Sequence, residues 1–96
     1  MATNQLIGHT KSGQPVYETF DEALVKHYSY RDHVEAGATH FLIHREALQK
    51  AIASRDLAER LQFAKVAKHH ELQSQAHLTK LEALDTTEGK SVKMWH

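Results

Sequence analysis

The chain has 96 residues, no cysteine, and 12 basic and 12 acidic side chains that give a formal net charge of zero. This length fits one small domain, the missing cysteines exclude disulfides and thiolate sites, and the balanced charge argues against nucleic acid as a partner. No apolar run approaches the roughly 18 residues of a membrane span and no signal-peptide pattern opens the chain, so we expect a cytoplasmic protein without a membrane partner.

The first part of the chain, residues 1–18, is predicted to be a small β-hairpin or an extended arm. Two β-prone pieces, Leu6–Thr10 and Pro15–Tyr17, flank the turn-like residues 11–14. A two-stranded hairpin is only marginally stable alone, so we expect the arm to pack on the helices or on a second subunit.

Helix signals begin directly after the arm. Thr19 and Glu22 have the spacing of a capping box, which predicts a short helix that ends near His27. Ser29 then offers a second N-cap, followed by an acidic residue in the first turn. The periodic apolar pattern that follows predicts a first long helix over residues 30–53.

A second long helix is predicted over residues 57–84, followed by a polar tail over 85–96. The break at residues 54–56 contains no Gly or Pro, but two cap signals coincide there. The pattern therefore favours an antiparallel helical hairpin, within one helical domain that spans 1–96 and has its helical part at 19–84. A single continuous helix over residues 31–84 is the alternative.

Five histidines fall on the apolar faces of these two helices: His33, His40, His44, His70 and His77. If the chain reverses at Arg55, His40 and His70 are equally far from the bend and lie level in the hairpin. His33 and His77 are also equally far from it. We call His40 and His70 the near pair, and His33 and His77 the far pair.

The spacing of these histidines suggests a metal site. His40 and His44 lie one turn apart and can chelate one ion, with His70 as a third ligand and the far pair as a second set. The imidazole-rich composition favours Zn, Cu or Ni, because the inward carboxylates of di-iron bundles are missing. His69 is expected on the surface. A hydrogen-bonded histidine core that is structural or pH-responsive is the alternative.

The helices also carry apolar residues that a single hairpin cannot bury. These side chains lie off the main stripes: Ile43, Leu57, Leu61, Leu72 and Leu78. We therefore expect an all-α homodimer or higher oligomer, in which two hairpins form a four-helix bundle. No nucleophile or oxyanion device is visible, which favours a non-catalytic role. The sequence thus indicates a small helical oligomer that binds a transition metal or, alternatively, an interaction module for an unknown protein partner.

Overall fold

The structure is a computed structural model that describes the backbone of residues 4–93 and the side chains of residues 4–84. Its elements are β1 (Leu6–His9), β2 (Pro15–Tyr17), α1 (Tyr30–Ala53) and α2 (Leu57–Lys93). His33 contacts His77 near one end of the helical pair, while His44 contacts Ala67 nearer the bend. α1 and α2 are therefore antiparallel, which confirms the helical hairpin and excludes the single continuous helix.

Local hydrogen bonds explain where α1 begins and ends. The Ser29 hydroxyl accepts a hydrogen bond from the Asp32 backbone N–H at 3.1 Å, and the Asp32 carboxylate accepts one from the Ser29 N–H at 2.9 Å. This reciprocal capping box satisfies two helix donors that would otherwise lack partners. At the other end Ser54 is extended, and its carbonyl accepts a 2.7 Å hydrogen bond from Arg60 Nε. The predicted N-cap and the predicted break are both confirmed.

The predicted short helix after Thr19 is wrong. Residues 22–27 form successive turns, with backbone hydrogen bonds between residues three apart, such as Tyr28 N–H to the Val25 carbonyl at 3.0 Å. Val25 and Tyr28 are both buried in this segment. Because these two side chains anchor the segment against the rest of the core, tertiary packing outweighs the local helix signal.

The predicted end of the second helix is also wrong. α2 continues beyond position 84 to Lys93, so residues 85–93 of the predicted tail are helical, and 94–96 lie outside the described residues. Nucleation of a helix orders three residues for one hydrogen bond, whereas each residue added afterwards brings a hydrogen bond of its own. The weak helix formers at 85–87 are therefore insufficient to end α2.

The arm forms the expected β-hairpin. β1 and β2 are antiparallel, with an irregularity between Leu6 and Gly8. The connecting turn is closed by a 2.9 Å hydrogen bond from Gly13 N–H to the Thr10 carbonyl, and Gly13 has φ 96°, a conformation that favours glycine. The turn thus needs Gly13 for its backbone conformation.

The arm docks against one side of the helical pair, which we call the arm side. The Ser12 hydroxyl donates to the Asp32 carboxylate at 2.7 Å on α1, and the Phe20 N–H donates to the Gln73 side-chain oxygen at 2.6 Å on α2. A cluster of apolar side chains fills the space between arm and helices: Ile7, Val16, Phe20, Val25, Tyr28 and Ala36. The arm and both helices therefore share one core.

α1 and α2 lie close together at Gly37. The Ser74 hydroxyl donates to the Gly37 carbonyl at 3.1 Å, and a Cβ added at Gly37 would lie 3.5 Å from His77 Cβ. That distance is ordinary van der Waals contact, so the site accepts one methyl group and little more.

Substitution of Gly37 by alanine and by leucine is expected to change the free energy of unfolding in opposite directions. Gly37→Ala should raise the free energy of unfolding by roughly 0.5–1 kcal/mol, because alanine favours helix and restricts the unfolded chain. Gly37→Leu should lower it by roughly 1–3 kcal/mol, since it must push the helices apart. Urea unfolding of the three proteins measures both values, and a destabilised alanine variant would contradict the observed spacing.

Candidate functional site

Both predicted histidine pairs meet across the hairpin. In the near pair the Nδ1 atoms of His40 and His70 are 2.8 Å apart, and in the far pair the Nδ1 atoms of His33 and His77 are 3.0 Å apart. These are hydrogen-bond distances between ring nitrogens. The pairing deduced from the position of the bend is therefore confirmed.

The two pairs form one continuous buried cluster. His40 has no exposed surface, and His33, His70 and His77 are each at most 4% exposed. The rings of His40 and His77 stack with centroids 5.8 Å apart, which links the two levels. Histidines thus occupy positions in this core that aliphatic side chains usually fill.

Aromatic side chains from the segment that follows the arm enclose the far pair. Phe20 meets the His77 ring edge-on at a centroid distance of 5.0 Å, and Tyr28 lies 4.9 Å from the His33 ring. The Tyr28 hydroxyl donates to the Pro15 carbonyl, and burial raises the pKa of Tyr28 to about 12. Each histidine of the far pair therefore packs against an uncharged aromatic ring.

The hydrogen bonds of the near pair define the proton positions in its neutral form. His40 Nε2 lies 3.0 Å from the Tyr17 carbonyl oxygen, which can only accept, so Nε2 carries the hydrogen. His40 Nδ1 then has the lone pair and accepts a hydrogen bond from Nδ1–H of His70. The Nε2 atom of His70 is left with a lone pair.

All four core histidines resist protonation. Burial, followed by the neighbouring His70 ring, lowers the pKa of His40 to about 4. Burial, followed by His33 and His40, lowers the pKa of His77 to about 4 as well. Burial is also the main cause of the lowered pKa values of His33 and His70. The core is therefore neutral at pH 7, with one hydrogen between the two Nδ1 atoms of each pair.

His44 does not join the pairs. Its Nδ1 atom lies 2.9 Å from the Ala67 carbonyl oxygen, to which it donates, and its ring lies 5.8 Å from the Phe41 ring. The structure therefore brings together four of the five predicted ligands as two pairs, and places His44 apart. An ion held by both Nδ1 atoms of a pair would replace the hydrogen between them.

Two polar side chains beside the near pair were not among the predicted ligands. One ligand atom from each of Glu18, His69 and His70 lies within 4.8 Å of the other two. His69 was expected on the surface, but it is half-buried and donates from Nε2 to the Glu18 carbonyl at 3.1 Å. No sequence pattern relates Glu18 to His69, because only the docking of the arm brings them together.

No protein-family model matches this chain, and neither a curated protein nor a solved structure matches it. Among the described residues, neither helix combines the length and the apolar character needed to cross a bilayer. What the protein does is therefore inferred from the geometry of the fold and its histidine core.

Proposed function

We propose that this protein is a small non-catalytic assembly module that forms a homodimer, with its histidine core keeping the fold dependent on pH. Two hairpins would pack side by side as a four-helix bundle, with the arms on the outside. The observation that carries the proposal is an uncovered apolar surface on the side of the helical pair opposite the arm.

This surface, which we call the open face, consists of Val34, Phe41, Leu48, Leu57 and Leu78. Val34, Phe41 and Leu48 recur every seven residues, and each follows a buried residue of α1, so they lie about 100° around the helix from the buried stripe. All five are exposed. Val34, Phe41 and Leu78 line one groove between the helices. Both helices thus contribute exposed apolar side chains to this groove.

A second copy of the chain fits the open face best. The face is built from two antiparallel helices, so two copies related by a two-fold axis present the same apolar surface to each other. The zero net charge means that two copies meet without net repulsion. Burial of each large apolar side chain contributes roughly 1.5–3 kcal/mol to the free energy of association. The contributions of several such side chains from each copy add up.

The proposal is tested by the mass of the protein in solution. Light scattering at micromolar concentration is expected to give the mass of two chains. Phe41→Glu should give the mass of one chain, because the carboxylate would be buried without a partner in the dimer. Leu42→Glu is the matched control, since Leu42 is 57% exposed, compared with 49% for Phe41, but lies on another face of α1.

Two outcomes would contradict the proposed dimer. The first is a single-chain mass for the unmodified protein, and the second is equal dissociation by the Phe41 and Leu42 substitutions. A stable complex with a different protein, formed only when Phe41 is intact, would instead support the alternative of an interaction module with an unknown partner.

Metal binding by His40, His44 and His70 stays a prediction. In the described contacts His40 uses both ring nitrogens, so an ion on His40 would have to displace its hydrogen bond to His70 or to the Tyr17 carbonyl. A hydrogen bond accepted by a ring nitrogen and a metal ion compete for the same lone pair. For this reason the proposed function assigns the near and far pairs a structural role.

A further inference from the structure

The contact between the arm and α2 places two side chains with possible ligand atoms, Glu18 and His69, beside His70 of the near pair. Glu18 directly follows β2, and His69 and His70 come from the middle of α2. Glu18 and His69 are half-buried, whereas His70 is buried. The cluster therefore has one rigid, desolvated ligand and two that an ion could reach from solvent.

The hydrogen bonds around His70 direct its free lone pair away from the near pair. His70 donates from Nδ1 to His40, and His40 in turn donates from Nε2 to the Tyr17 carbonyl. Metal-ligating histidines characteristically donate their other ring N–H to an acceptor, which fixes the tautomer and orients the ring. His70 has this arrangement, with Nε2 as the ligating atom.

The other two side chains also present lone pairs. His69 donates from Nε2 to the Glu18 carbonyl, which leaves its Nδ1 atom as an acceptor. Among the described residues no ion pair or hydrogen bond engages the Glu18 carboxylate, and its negative charge acts to raise the pKa of His70. A half-buried carboxylate thus lies beside two imidazole rings that each have one ring nitrogen without a hydrogen-bond partner in the described part of the chain.

We propose that Glu18, His69 and His70 form a binding site for one divalent transition-metal ion, with Zn²⁺ as the probe. Two imidazoles and one carboxylate are a common ligand set for such ions, and water or a fourth group completes the coordination. In a tetrahedral shell with bonds of about 2.0–2.1 Å, neighbouring ligand atoms are about 3.3 Å apart. One ligand atom of each side chain lies within 4.8 Å of the other two, so side-chain rotation is sufficient to bring the three into one coordination shell.

This site differs from the set predicted from sequence, so the two can be separated by experiment. Calorimetric titration of the metal-stripped full chain with Zn²⁺ at neutral pH is expected to show one ion per chain. Glu18→Gln and His69→Gln should each weaken the affinity at least as much as the roughly tenfold loss known for outer-shell partners. His44→Gln and His27→Gln are the matched controls and should retain the affinity of the unmodified protein.

The site is rejected if the unmodified protein does not bind Zn²⁺, or if His44→Gln abolishes binding while Glu18→Gln does not. Circular dichroism of each variant establishes that it is folded, which is expected because Glu18 and His69 are only half-buried. The mass of the metal-stripped protein tests the dimer separately, since none of the three ligands belongs to the open face. Failure of one proposal therefore leaves the other intact.

Discussion

Acidification from pH 6.5 to about 4 is expected to destabilise the fold steeply through the far pair. The pKa of His77 falls from 6.5 in the unfolded chain to about 4 in the folded protein, first because the ring is buried and then because His33 and His40 face it. The folded state thus binds this proton more weakly than the unfolded state does. Stability is fully present above pH 6.5 and is lost as the pH falls towards 4.

The expected loss is a large fraction of the stability of a small domain. One pKa unit corresponds to about 1.4 kcal/mol, so His77 alone contributes on the order of 3 kcal/mol across this interval. His33 acts in the same direction, because burial and Lys80 lower its pKa more than Asp32 and Glu22 raise it. Small domains typically have about 5–15 kcal/mol of stability in total.

The measurement is urea unfolding over a pH series at one chain concentration, in the presence of a chelator. His77→Gln should reduce the pH dependence without abolishing it, because His40, whose pKa is also lowered to about 4 by burial, remains. His27→Gln removes an exposed histidine and should retain the slope of the unmodified protein. Equal free energies of unfolding at the two ends of the pH range would refute the neutral-core explanation.

The second large effect is expected from His40→Ala. His40 is completely buried, and its two ring nitrogens satisfy the Tyr17 carbonyl and the His70 N–H. Truncation leaves a cavity and two buried polar groups without partners. We expect the free energy of unfolding to fall by roughly 3–5 kcal/mol, the range for truncating a large core side chain.

His44→Ala provides the comparison for this variant. His44 is only half-buried and makes one hydrogen bond, to the Ala67 carbonyl, so its removal should cost about 1 kcal/mol. A double-mutant cycle of His40→Ala with His70→Ala should also give a coupling energy of about 1 kcal/mol or more, because the two rings are in contact. The importance of the near pair would be disproved by equal losses for His40→Ala and His44→Ala.

Much of the hairpin and of its histidine core could be predicted from local rules. The capping box at Ser29 marks the start of α1, and coincident cap signals mark the break at residues 54–56. Because both helices rise by the same amount per residue, counting from the bend was sufficient to place His40 against His70 and His33 against His77. Each of these features depends on spacing along the chain.

Other features were mispredicted because packing overrides local preference. The capping spacing of Thr19 and Glu22 suggested a helix, but burial of Val25 and Tyr28 holds the segment in turns. The helical wheel places His69 away from the buried stripe of α2. For that reason His69 was expected to lie on the protein surface. The arm covers that side of α2, so His69 becomes half-buried against Glu18.

The sequence by itself determined the bounds of α1, the start of α2 and the level at which each paired histidine lies, because periodicity and capping act within a few residues. Only the tertiary structure decided which side of the hairpin the arm covers. Docking of the arm depends on contacts between residues about fifty positions apart, such as Glu18 with His69, for which no local pattern exists. That choice both places Glu18 beside His69 and His70 and leaves the open face uncovered.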